Sequence, residues 1–336
     1  MYQMPIVSNH SRARSLDRPP PPTARAHLDE SFGRRFVLFA DAEEEFDWTQ
    51  PLRRENVATT AVAALPEANR RFAGRGLVPT YLVDWPVAAD PASADAIASM
   101  VAAGTCDVGT QLHPWVNPPH AETVTRANSF VGGLPAELEH AKIVALTEKL
   151  TEAFGARPIS YRAGRYGIGP NTARSLAMEG YKLDVSVRSL FDYSAEGGAD
   201  FTDHPIWPYW LENGLLEVPL TACLTGALSG KPSLLRQQRL RGPFARTGLL
   251  SRVPLTPEGT SLREALRAIE VLLDRGTRLF SLSFHTPSVV PGHTPYVRDE
   301  ADLRTFWAWW DGVFDLFEKH GVTPARAGDI LAAAKG

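Results

Sequence analysis

Four short segments gather side chains able to move protons or hold cations. The first, from Phe39 to Trp48, sets five carboxylates (Asp41, Glu43, Glu44, Glu45 and Asp47) in seven positions. Clustered carboxylates repel one another. They persist where a cation, a metal or an arginine neutralises them, or where one acts as a base. The second, from Asp107 to His120, carries Gln111, His113 and His120 on a loop stiffened by prolines and bearing Trp115. The third, from Ser160 to Gly167, puts Arg162 and Arg165 beside Tyr161 and Tyr166. In the fourth, His285 directly follows the apolar run that ends at Phe284. An imidazole there is costly unless it is paired, so a partner is expected.

These side chains share one place in the pattern. Short apolar runs end at Asp41, Asp84, His113, Arg162 and His285. Two more strand-like runs cover 181–187 and 215–220. Helical spacing falls between the runs, over 57–73, 92–103, 136–154, 171–179, 261–275 and 300–319. Strand alternating with helix predicts a parallel α/β architecture. Seven or eight such units without a dinucleotide fingerprint favour a β/α barrel. In a barrel the C-terminal strand ends converge on one rim, so residues far apart in sequence share a pocket.

The 336 residues carry 35 Lys and Arg against 38 Asp and Glu, a net charge of −3. That gives no basic field for a nucleic-acid backbone. No apolar run reaches 18 residues, so no membrane-spanning segment is expected. Two cysteines, Cys106 and Cys223, exclude a disulfide scaffold and suit a reducing compartment. The start shows no signal peptide, so a cytoplasmic location is expected. Residues 1–33, rich in Pro and Arg, read as a disordered tail. Residues 34–336 read as a single domain. A stretch at about 222–258 without clear period reads as a rim insertion.

The four segments, in this order, resemble the polysaccharide deacetylases of carbohydrate esterase family 4, which share the nodulation-deacetylase fold. The motifs are Asp41-Ala-Glu43, Asp107-Val-Gly with His113-Pro-Trp115, Tyr161-Arg162-Ala-Gly and Ser283-Phe-His285-Thr-Pro. The Asp-x-Glu opening is similar to a branch found beside exopolysaccharide genes. The resemblance spans about residues 35–325. It implies a distorted (β/α) barrel of about seven parallel strands. It also implies a hydrolase acting on C–N (non-peptide) or ester bonds of an acetylated glycan, with one divalent metal, zinc being expected. By position it makes Asp41 the base and Arg162 the group that holds it. His285 becomes the general acid, and Asp184 the acid that orients His285. Glu43 and His113 become metal ligands. The family's second motif has two histidines, and here Gln111 and Trp115 stand in their places. Gln111 or His120 is therefore expected to complete the shell. Trp48, Trp115, Tyr166 and Arg165 are expected on the substrate, with Trp207 as a further aromatic.

Three other readings remain open at this level. One is a non-catalytic glycan-binding protein, favoured by the departure in the second motif. Another is an amide hydrolase for a small molecule on the same barrel. The last is a glycosidase, which needs two carboxylates facing each other across a sugar.

Overall fold

The computed structural model describes residues 13–47, 49–230, 247 and 249–336. In chain order the strands are β1 (His27–Leu28), β2 (Arg35–Ala42), β3 (Thr80–Val83), β4 (Asp107–Leu112), β5 (Ser160–Ala163), β6 (Leu183–Asp184), β7 (Tyr209–Trp210), β8 (Leu216–Glu217), β9 (Ala222–Thr225), β10 (Ser251–Pro254), β11 (Leu279–His285), β12 (Thr323–Pro324) and β13 (Ala334–Lys335). The main sheet runs β11-β2-β3-β4-β5-β6-β8-β7, and β12 lies beside the start of β2. Pairing is parallel from β11 to β8, and β7 is antiparallel to β8. The sheet curls into a half-barrel. Helices Leu65–Ala73, Pro91–Ala102, Ala136–Phe154 and Thr172–Met178 return the chain between successive parallel strands, as parallel pairing requires.

Strand β2 shows how the layers arise. Phe36, Leu38, Ala40 and Ala42 join a core cluster with helix residues such as Phe72, Trp310 and Phe317. Val37 and Phe39 face the opposite way, into a cluster with Leu82, Leu183, Val185, Leu216 and Leu279. The two-residue period carries this inner face from Val37 and Phe39 to Asp41. On β11 it carries Leu279, Ser281 and Ser283 to His285. The inside of the sheet is therefore apolar near the strand starts and polar at their C-terminal ends.

The N-terminal segment departs from the expected tail. Within residues 13–33, Ala13, Leu16, Ala24, Ala26 and Phe32 are buried. Ala13 N–H donates to the Trp210 carbonyl at 3.0 Å, and Ala26 N–H to the Pro208 carbonyl at 2.8 Å. β1 pairs antiparallel with β13. The segment is poor in apolar residues, yet it finds unpaired backbone beside β7 to bond with, and such edges attract cover. Residues 1–12 lie outside the described residues.

The described part of the expected rim insertion contains an antiparallel hairpin, β9 on β10. Residues 231–246 and 248 lie outside the described residues. The hairpin is joined to the sheet at its base. Thr221 N–H donates to the Ser281 carbonyl at 3.1 Å, and Ser283 N–H to the Leu255 carbonyl at 3.3 Å. Among the described residues no helix is long and apolar enough to cross a membrane.

Candidate active site

Register brings the first polar residues together. His285 on β11 lies opposite Asp41 on β2, and Arg162 on β5 lies opposite Gln111 on β4. Arg162 reaches across the inside of the sheet. Its Nη1 donates to Asp41 Oδ1 at 2.5 Å and to Ser283 Oγ at 2.8 Å, and its Nε donates to the Val185 carbonyl at 3.1 Å. Asp41 is 2% exposed and Arg162 1%. A buried ion pair of this kind is costly to break, because removing one partner strands the other charge.

His285 Nε2 lies 3.7 Å from Asp41 Oδ2. Its other nitrogen, Nδ1, sits 2.6 Å from Glu258 Oε2. Glu258 also accepts from the His285 backbone N–H at 3.0 Å and from Ser288 Oγ at 2.6 Å. Burial alone would push the His285 ring down. Burial is the largest single influence, but the Glu258, Glu43 and Asp41 carboxylates together outweigh it and carry the ring up to about 10. His285 is therefore an imidazolium at neutral pH, with its Nε2–H directed at the Asp41 side of the pocket.

A second chain of contacts positions His113. Its Nδ1 lies 2.7 Å from Glu44 Oε2, and its ring stacks on Trp115 with centroids 4.4 Å apart. Trp115 Nε1 donates to the other Glu44 oxygen at 2.8 Å. The Glu44 N–H in turn donates to Asp84 at 2.7 Å. The loop that follows is tied to the helix Ala136–Phe154 by Lys142. Its buried ammonium donates to the Pro114, Asn117 and Pro119 carbonyls. Gly164 lets the next strand end approach, since a Cβ there would come within 2.2 Å of His113 Cδ2.

Gln111 Nε2 lies 2.8 Å from Glu43 Oε2 and 3.2 Å from His113 Nε2. An amide nitrogen can only donate, so this network makes His113 Nε2 an acceptor and puts the ring hydrogen on Nδ1, toward Glu44. Glu43 Oε2 and His113 Nε2 are then two acceptors 3.5 Å apart. Buried Gln111 Oε1 has no hydrogen-bond partner. Turning the amide over brings that oxygen to the same point, so Glu43, His113 and Gln111 present an N,O,O donor set. Such a set suits a borderline divalent cation. Burial pushes Glu43 up to about 7, partly offset by His285 and His113. Asp41, Glu43 and His285 also hold ligand-type atoms within 4.8 Å of one another. Arg162 and the imidazolium charge, however, occupy two of those three groups.

These residues form the floor of one pocket of about 580 Å³. Asp41, Glu43, Gln111, His113, Arg162, Arg165, Tyr166 and His285 all line it. Four expectations are corrected, on Asp184, Trp115, His120 and Trp207. Asp184 lies elsewhere: its oxygens take Ser186 N–H and Oγ, and it stands opposite Glu217, with both carboxyls pushed up by burial. The acid that holds His285 is Glu258, which sequence reasoning missed. Trp115 is not a sugar platform, because it is 1% exposed and spent on His113 and Glu44. His120 is exposed beyond the loop and belongs to neither cluster of metal-type ligands found among the described residues. Trp48 lies outside the described residues. Trp207 packs edge-on against Tyr209, apart from the pocket lining. Arg165 and Tyr166 are both non-glycine residues with positive φ, 56° and 57°. Strained backbone of that kind gathers at functional sites.

No family model and no curated protein matches the chain. Solved structures do. The probable polysaccharide deacetylase from Pseudomonas aeruginosa PAO1 matches with a TM-score of 0.52 and 18% identity, over 90% of this chain and 92% of that one. Puue allantoinase matches with a TM-score of 0.50 and 17% identity, over 99% and 97%. The 4-alpha-glucanotransferase from Thermococcus litoralis matches with a TM-score of 0.50 and 14% identity, over 90% of this chain and 39% of that one. At these identities the likeness is one of fold.

Proposed function

We propose that the chain is a hydrolase that removes acetyl groups from an N- or O-acetylated polysaccharide or its precursor. One observation carries the reading. A carboxylate held by an arginine and an imidazolium held by a glutamate face each other at 3.7 Å on neighbouring strand ends. A held proton acceptor facing a held proton donor is the pairing that general acid–base catalysis uses.

Asp41 Oδ2 takes a proton from the attacking water as its oxygen bonds to the acetyl carbon. Arg162 donates to Oδ1 and fixes the orientation of the carboxylate. The bond from carbon to the sugar nitrogen or oxygen then breaks. His285 Nε2 gives its proton to that leaving atom, and Glu258 stabilises the imidazolium until transfer. Acetate and the free amine or hydroxyl result. Glu43, His113 and Gln111 would hold a divalent cation, zinc fitting the set, and when bound it supplies polarisation of the acetyl carbonyl. Glu44 and Trp115 keep His113 oriented toward it. Tyr166 and Arg165 line the approach for the sugar.

The test is acetate release from a panel of acetylated oligosaccharides, with and without added zinc. Release by the wild-type protein, abolished in Asp41→Asn, is expected. Undiminished release by Asp41→Asn would falsify the assignment of the base. No release from any member of the panel would remove the deacetylase reading itself.

A further inference from the structure

Five cationic side chains line the pocket, and four have a carboxylate. Arg162 has Asp41, His285 has Glu258, and Arg126 and Arg165 share Glu196. Arg188 has none among the described residues. The residues outside that set, 1–12, 48, 231–246 and 248, contain no Asp or Glu. Arg188 Nη1 donates to Tyr193 Oη at 2.9 Å, while its buried Nε has no hydrogen-bond partner.

The guanidinium is held in place nonetheless. It lies 4.0 Å from the Phe191 ring centroid and 5.1 Å from that of Tyr166. Tyr193 stacks between these rings, with centroids 6.4 Å from Phe191 and 6.0 Å from Tyr166. Arg162, the partner of the base, lies 5.8 Å from the same Tyr166 ring. One aromatic ring therefore touches the cation at the reaction centre and the uncompensated one. A fixed, partly desolvated guanidinium presents a planar fork that matches a carboxylate.

We infer that Arg188 forms an anion subsite and that the acetylated substrate carries a carboxylate about one sugar ring from its acetyl group. This rests on the deacetylase reading and narrows it to acidic sugars such as uronates. The carboxylate supplies the charge that the pocket lacks, and the Phe191–Tyr193–Tyr166 stack holds the fork ready before binding.

The experiment compares N-acetylglucosamine oligomers with their C6-oxidised uronate counterparts. Turnover is measured for wild type, Arg188→Gln and Arg188→Lys. Binding of the deacetylated uronate oligomer is measured by calorimetry, which needs no catalysis. The wild type should prefer the uronate. In Arg188→Gln that preference in kcat/KM should fall at least tenfold, through KM, and calorimetric affinity should fall in step. Arg188→Lys, which keeps the charge without the fork, should fall between. Equal losses on both sugars, or a wild type that binds the uronate no better than the neutral oligomer, would overturn the inference. If neither sugar is turned over but uronate binding depends on Arg188, the subsite stands and the deacetylase reading falls. A wild-type preference for a C6-phosphorylated oligomer over the uronate would overturn the choice of carboxylate.

Discussion

At the scale of single residues, two substitutions separate base from acid. Asp41→Asn keeps the shape of the side chain but removes the proton acceptor. It is expected to lower kcat by at least about 10²–10⁴ while substrate binding by calorimetry stays near wild type. Glu258→Gln acts on the acid. Burial lowers the His285 ring, and the Glu258, Glu43 and Asp41 carboxylates together raise it to about 10, with Glu258 the largest of the three. The protonated ring is the active form, so the rate should hold through neutrality and fall as pH rises through about 10. Without the Glu258 charge the largest of the raising influences is gone, so the alkaline limb should move to lower pH, which a pH–rate profile reads directly. An unmoved limb would mean that another group sets it. Asp41, Arg162 and His285 were legible in the sequence because each ends an apolar run, where period two leaves only one place to point. Glu258 was not. It follows a strand that contributes nothing to the parallel sheet, within a stretch of no clear period. Asp184 was misplaced for the converse reason: it ends a strand correctly, but that strand delivers it beside Glu217 rather than His285.

At the scale of elements, close approach of β4 and β5 sets the metal-type ligands. Gly164 sits where a Cβ would meet His113 Cδ2 at 2.2 Å and the Leu112 carbonyl oxygen at 2.7 Å. Gly164→Ala should therefore push the imidazole off Glu44 and Trp115. Overpacking of this kind costs about 1–3 kcal/mol, visible as a lower Tm. Zinc affinity, measured by competition with a chromogenic chelator, should fall by about 10–100-fold, the usual cost of disturbing the groups behind a ligand. Wild-type affinity in this variant would show that the ring does not depend on that contact. The motif Tyr161-Arg162-Ala-Gly hinted at this glycine. The reason for it lies across the strand pair, in a contact that spacing along one chain cannot show. Trp115 misleads for a similar reason, since sequence places it on the right loop without telling which way it faces.

At the scale of the whole molecule, the N-terminal segment belongs to the folded body. A protein beginning at Arg34 loses the buried side chains of Leu16 and Phe32 and the pairing of β1 with β13. At about 1.5–3 kcal/mol for each large apolar side chain, the loss should be on the order of 3–6 kcal/mol in a urea titration. A dangling tail would cost nothing. Composition alone hid this, because few apolar residues suffice when an existing sheet edge receives them. The hairpin β9–β10 has a different bearing. It enters between β8 and β11, touches the sheet through a few backbone bonds, and leads on to Glu258. The barrel thus owns the base, while a separate graft of chain owns the setting of the acid. Exchanging that graft for another of the same span would change the pH at which His285 gives up its proton and leave the Asp41–Arg162 pair untouched, much as a replaceable control module does in a machine with a fixed engine.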